Sequence, residues 1–279
     1  ALTFEGPLFK KDQESSNTSF IVSARRSYLQ FLFEVIGLPF LPDYWDYQYK
    51  LTHKFDEYNE LIITGVGSID DFRINVPEEY DPEQQASLDQ VPVIRQRTNT
   101  IGASWKSRFR DGSGFTRLAL STNRLQNDFR RYEDNEAETG LFLQNESVEQ
   151  ETKLRFNRTK FIGQWTFVNT ASLQQVLYSN NSVDVVNSNN FDNEINFTRY
   201  GASFQASSTS KDDRFNFSAG IRFDGNTFTN NGNEIWRTLS PRISARYTFD
   251  EAKKWSVNAS VGRYFKIPPY TILGFVGPG

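Results

Sequence analysis

Bond-making chemistry has little to work with in this sequence. His53 is the only histidine, and there is no cysteine. Without cysteine there are no disulfides, thiol nucleophiles or thiolate metal sites. A metal centre or a Ser–His–Asp triad needs partners for His53 that the sequence does not supply. Carboxylates are plentiful, but none has the setting of an acid/base pair. Glu133–Glu138 (EDNEAE) reads as loop and Glu149–Thr152 (EQET) as lumen wall. Val183–Glu194, with Asp184 and Asp192, lacks the glycine and regular oxygen spacing of a calcium loop. The expectation is a chain with no catalytic residue, no metal and no cofactor.

Charged side chains at alternate positions of strands offer different chemistry, the selection of a solute. Arg25 and Arg26 are adjacent, so on a strand only one can face inward, and Arg25 goes with Ser23 and Ser27. Asp46, Lys50, Lys106, Arg222, Arg242 and Arg246 occupy the same polar phase of their strands. Each cation has two readings: an ion pair with a wall carboxylate or a plug, or a contact for an anionic ligand. Trp236, Tyr264 and Tyr270 fall near external strand ends and are candidates for ligand contact. Trp45, Trp165 and Trp255 fall on the apolar phase near strand ends. That is where an amphipathic ring sits at lipid headgroups.

The elements that must hold these residues are strands. Leu239–Tyr270 shows the pattern best. Ile243, Ala245, Tyr247 and Phe249 alternate with Arg242, Ser244, Arg246 and Thr248. After a charged turn at Asp250–Lys254, Trp255, Val257, Ala259 and Val261 alternate with Ser256, Asn258, Ser260 and Gly262. Successive side chains of a strand point to opposite faces, so this hairpin has one apolar and one wet face.

Ten further strands are expected. They are Ala1–Leu8, Thr18–Tyr28, Tyr44–Phe55, Glu60–Asp70, Thr98–Phe109, Phe115–Arg124, Phe142–Phe156, Thr159–Tyr178, Asn193–Ala206 and Phe215–Asp224. Asn193–Ala206 changes phase near Tyr200, which suggests a bulge. Short links near 11–16, 56–59, 110–114, 157–158, 207–214 and 250–254 alternate with longer ones at 29–43, 71–91, 130–139, 179–192 and 225–238. Tight turns on one side and longer loops on the other are the asymmetry of an outer-membrane barrel. A Greek-key sandwich has no reason to keep it.

Composition agrees. Aromatic residues make up 15% of 279 residues, yet mean hydropathy is −0.59. One ring-rich face and one polar face give that pairing. No run of about 18 apolar residues occurs, so no helix is expected to span a membrane. A net charge of −3 argues against a nucleic-acid partner.

Two stretches resemble a known family. Phe4–Tyr28 (FEGPLFKKDQESSNTSFIVSARRSY), followed by the tyrosine-rich strand with Asp46 and Lys50, resembles the early barrel of TonB-dependent outer-membrane receptors of the Bacteroidetes type. Ser240–Arg242 (SPR) and Gly262–Tyr270 (GRYFKIPPY) look like a mid-barrel hairpin of the same family. The resemblance implies an all-β, antiparallel, up-and-down transmembrane barrel of about 22 strands, of which residues 1–279 are a segment of about twelve. The plug domain and closing strands are expected to lie outside this chain. It further implies energised uptake of a siderophore, vitamin, glycan or peptide, with lipid, plug, TonB complex, imported solute and possible surface lipoprotein as partners. Two other readings stand beside it: a plug-less barrel serving as scaffold in a cell-surface complex, and a secreted soluble all-β protein that binds glycans.

Overall fold

The computed structural model describes residues 1–9, 16–36, 40–74, 91–135, 137–249 and 255–273. Twelve strands form one antiparallel sheet in sequence order. They are β1 (Leu2–Leu8), β2 (Thr18–Arg26), β3 (Phe40–Lys54), β4 (Asn59–Ile74), β5 (Val93–Arg108), β6 (Gly114–Asp134), β7 (Thr139–Ile162), β8 (Trp165–Asp184), β9 (Asn189–Thr209), β10 (Phe215–Asn226), β11 (Ser240–Thr248) and β12 (Ser256–Gly262). Every neighbour is a sequence neighbour, as an up-and-down meander requires. Two helical pieces, α1 (Leu29–Val35) and α2 (Tyr270–Leu273), and a short 3₁₀ turn at Ile235–Thr238 lie at the same end of the sheet.

The alternation carries through the whole sheet. Leu118 stands opposite Trp105 and Phe156, Leu154 opposite Leu120 and Leu173, and Ile243 opposite Ala219 and Val261. Leu118, Leu120, Leu154, Leu173, Ile243 and Val261 are all exposed. No second layer covers that face among the described residues, whereas a soluble sheet would bury it. The ladder satisfies the backbone within the sheet, which leaves only side chains to meet the apolar medium. Three tyrosines flatten onto this face: Tyr49 over Gly65, Tyr47 over Gly67 and Tyr200 over Gly225.

The short turns form one rim. Asp56 Oδ1 accepts from the backbone N–H of Tyr58 and Asn59, both at 2.7 Å, and Asp111 Oδ1 accepts from Ser113 N at 3.0 Å. Asp212 Oδ1 accepts from Arg214 N at 3.2 Å. Each carboxylate closes its turn by pairing donors the ladder cannot reach. Between β7 and β8 only Gly163 and Gln164 intervene. Gly163 has φ +58°, the left-handed backbone that a two-residue hairpin needs at its first position.

Several expected boundaries move. β7 runs on through Asn157 and Arg158, which pair with Thr170 and Asn169, so the turn expected there is at 163–164. The expected long links at 130–139 and 179–192 shrink to 135–138 and 185–188. Their polar residues belong to hairpins that continue beyond the membrane into water, where neither face has to be apolar. The phase change near Tyr200 is not a bulge, because β9 pairs in unbroken register with β8 and β10. Its cause is an apolar cluster on the inner face, described below. The one register shift in the β6–β7 ladder is at Arg131/Tyr132. The turn expected at 250–254 lies outside the described residues.

Candidate functional site

The inner face follows from the pairing register. Arg25 stands opposite Asp46, Lys50 opposite Ile21 and Thr64, and Lys106 opposite Glu60 and Arg117. Arg222 stands opposite Ser203 and Ser240, Arg242 opposite Gly220 and Gly262, and Arg246 opposite Asn216 and Asn258. All seven residues proposed from alternation therefore share the face opposite the apolar one.

Their contacts differ. Arg25 Nε donates to Asp46 Oδ2 at 2.8 Å, an ion pair along the wall. Arg222 chelates Asp224 through Nε at 2.7 Å and Nη2 at 2.5 Å. Lys106 Nζ lies 4.9 Å from the Phe115 ring, and the Arg242 guanidinium lies 4.5 Å from the Tyr264 ring. Tyr264 is thus held against the inner wall, while its ring stays exposed.

Tyr270 takes a different place from the open contact expected of it. Its ring is 8% exposed and touches Val176, Tyr178 and Phe197 on the inner side of β8 and β9. Its hydroxyl donates to Glu151 and accepts from Arg199 Nη1 at 3.2 Å. Burial first, and then the Glu151 carboxylate, push the phenol up to about 12, so it remains a donor at neutral pH. Trp236 packs edge-on against Phe223 at 5.9 Å. Phe223 belongs to the outward phase of β10, so Trp236 sits over the outer side of the external end.

The outward tryptophans mark two levels. Trp45 lies toward the loop end of β3, with the Arg26 guanidinium 5.5 Å from its ring. Trp165 opens β8 at the turn end and stacks on Phe167, and Trp255 precedes β12 at the same end. Trp105, not singled out from the sequence as an interfacial ring, joins them and stacks on Phe55 at 5.6 Å. Its place on the apolar phase three residues before β5 ends was the available signal. His53 also faces outward, and its Nδ1 is 2.7 Å from Thr18 Oγ1. Asp184 closes the 185–188 turn by accepting from Asn187 N and Nδ2, which lowers its pKa.

Sequence reasoning missed several inner cations, and three of them gather in one place. Lys153 and Arg199 face inward beside Arg222, and Lys266 approaches them from the segment after β12. Lys153 sits in a stretch of β7 that is polar on both faces, where alternation gives no phase. Arg199 follows the change in apolar phase on β9.

A two-faced sheet of this kind, charged within and apolar without, defines the wall of a transmembrane β-barrel. A family model described as "TonB dependent receptor-like, beta-barrel" matches residues 25–278, and the chain belongs to that family. It is a family of outer-membrane receptors and transporters, not of enzymes. No curated protein sequence matches the chain. Among solved structures it is similar to the siderophore receptor PirA from Acinetobacter baumannii, at 12% identity and TM-score 0.63, covering 95% of this chain and 40% of that one. The copper transporter OprC is similar at 11% identity and TM-score 0.62, with 91% and 41% covered. The ferripyoverdine receptor of the outer membrane of Pseudomonas aeruginosa, bound to ferripyoverdine, is similar at 14% identity and TM-score 0.59, with 92% and 39% covered. The chain thus spans about two fifths of the length of these receptors. Its place is the outer membrane.

Proposed function

We propose that this chain forms part of the wall of a TonB-dependent receptor that takes up a scarce nutrient, a siderophore, vitamin, glycan or peptide. The Bacteroidetes type is the one its Phe4–Tyr28 and Gly262–Tyr270 motifs resemble. The carrying observation is the continuity of the inner face. Across the strands from Arg25 to Arg246 one phase carries the charged side chains, broken by the apolar cluster under Tyr270, while the opposite phase presents exposed apolar side chains where the sheet crosses the membrane. A wall of that kind holds a water-lined path through lipid. In this reading the plug and the remaining strands belong to parts of the receptor outside this chain, and the TonB complex that energises uptake is a separate partner. The similar structures described as siderophore receptors and a copper transporter support a scarce solute. A surface lipoprotein partner has no support in the comparisons, and no feature of the wall favours a scaffold over a transporter. The uncovered apolar face argues against a secreted soluble protein.

The test is growth of a deletion strain on a panel of single limiting nutrients, with and without an intact TonB system. The expected result is a defect on one nutrient that loss of TonB reproduces. Unchanged growth and uptake across the panel would overturn the reading.

A further inference from the structure

After β12 the chain turns back across the inner wall. Arg263 N donates to Pro241 O at 3.0 Å, and Arg263 lies 4.4 Å from the Phe265 ring. Tyr270 then pins the segment to β8 and β9, with Ile267 and Leu273 packed around the same cluster. Residues 263–273 thus form a strap over the wall.

Between strap and wall lies a cavity of about 440 Å³. That is ample for a small solute and far larger than one water, whose share of liquid is about 30 Å³. The wall contributes Lys153, Arg199 and Arg222, and the strap contributes Lys266. Asp224 is the one carboxylate among the described lining residues, and Arg222 already chelates it. Glu151 lies just outside the lining, where it acts on Lys153 and is linked to Arg199 through the Tyr270 hydroxyl, so four cations meet two carboxylates and two positive charges stay unmatched. Gln174, 7% exposed, adds a carboxamide.

The floor is shaped for this. Gly201 faces Asp224 across the β9–β10 pair. A Cβ there would stand 2.6 Å from Asp224 Oδ1 and 3.3 Å from Arg222 Nη2. Glycine lets the Arg222–Asp224 pair lie flat against the backbone and keeps the space above it open.

Like charges gathered in a partly enclosed space repel one another, and an anion relieves them all at once. We propose that this cavity binds carboxylate or phosphate groups, bridging Lys266 of the strap to Lys153, Arg199 and Arg222 of the wall. The anion then holds the strap down. Two sources present this chemistry: the imported solute, and acidic side chains of the plug. The solute version rests on the transport reading given above.

The test uses the complete receptor in detergent at low salt. Citrate and inorganic phosphate are titrated by calorimetry, with sorbitol as the neutral control. Wild type is compared with Lys266→Gln, Lys153→Gln and Lys211→Gln, the last an exposed cation of the turn between β9 and β10, outside the cavity. The expected result is binding of at least one polyanion, weakened roughly tenfold by either cavity variant, the loss of one charge-assisted hydrogen bond. Lys211→Gln should bind as wild type does, and hydrogen exchange across residues 263–273 should slow on binding. If no free polyanion binds but both cavity variants make the plug more sensitive to limited proteolysis, the cavity holds plug carboxylates, and the anion site stands with that source. The proposal is overturned if neither effect is seen, or if all three variants behave alike. Growth on the limiting nutrient is scored separately. Transport that survives in variants with no anion effect would remove the anion site and leave the transport reading intact.

Discussion

The ring of Tyr49 lies across Gly65 on the neighbouring strand, in the space that a Cβ at position 65 would need. Tyr47 covers Gly67 in the same way. The two glycines are not equivalent. Around Gly65 the nearest atoms are the far end of the ring, which can swing toward lipid. At Gly67 a Cβ would also stand 2.7 Å from the backbone oxygen of Thr98, which cannot. Gly67→Ala should therefore cost about 1–3 kcal/mol, as overpacking does, and Gly65→Ala less than about 1 kcal/mol. Equilibrium unfolding in urea from lipid vesicles measures the difference. Equal costs would contradict the geometry.

The two faces of β6 give the most direct test of orientation. Leu120 is exposed on the apolar face, and Ser121 points the other way. Leu120→Arg places a charge in hydrocarbon and should cost about 2–4 kcal/mol near the bilayer midplane. Ser121→Arg should be close to neutral. The same vesicle unfolding assay reads both, and the reverse order would invert the barrel.

Depth separates the tryptophans. Trp105, Trp165 and Trp255 lie at the turn end, and Trp45 lies toward the other. Single-tryptophan variants in vesicles with brominated lipids should quench at one shared depth for the first three and in the opposite leaflet for Trp45. Trp236, on the 235–238 turn, should show the weakest quenching of the five. Deep quenching of Trp236 would place the external rim within the membrane.

The strap hangs on one hydroxyl. Tyr270→Phe keeps the ring among Val176, Tyr178 and Phe197 but leaves Glu151 and Arg199 without it. Losing a hydrogen bond to a charged group costs about 1–3 kcal/mol. Hydrogen exchange across residues 263–273 should accelerate accordingly, while β8 and β9 keep their protection. Unchanged exchange would mean that apolar contact alone fixes the strap.

Acid should loosen the turns. Hydrogen bonds from Asn59, Ser113 and Ser210, joined by backbone N–H groups, lower the pKa of Asp56, Asp111 and Asp212 respectively. A carboxyl depressed in the folded state binds its proton less readily there than in the unfolded chain. Its stabilising contribution is complete above the unfolded value, about 3.9, and is lost as pH falls through the lower folded value. Turn amides at 56–59, 111–113 and 212–214 should exchange faster, relative to the strand amides, below about pH 4. In the three Asp→Asn variants that extra acid sensitivity should vanish. A pH-independent ratio would show that the carboxylates do not hold the turns.

The fold was legible where lipid imposes a pattern. Phe215–Phe223 and Ile243–Tyr247 alternate because one side of each must be apolar, and their registers follow. Legibility fails where that demand stops. Glu146–Lys153 is polar on both faces, so neither the course of β7 nor the inward aim of Lys153 could be read. Asn180 and Asn193 look like loop residues but pair with each other across β8 and β9, since water accepts either face of a hairpin. Ile195 and Phe197 mimic a bulge because their partner Tyr270 comes from more than seventy residues away. For the cations named on well-patterned strands, such as Lys50 and Arg242, the shared face followed from phase alone. Lys266 was not, because the strap has no period to read.

Unequal strand lengths have one more consequence. β7 has 24 residues and β12 has 7, whereas a tilted crossing needs about 9–11. Over β6–β9 the wall therefore climbs well clear of the lipid as a stiff parapet, its crest only four residues wide at 135–138 and again at 185–188. A protease that clips either crest severs a peptide bond and dismantles nothing, because both stumps stay laced to their neighbours down to the membrane.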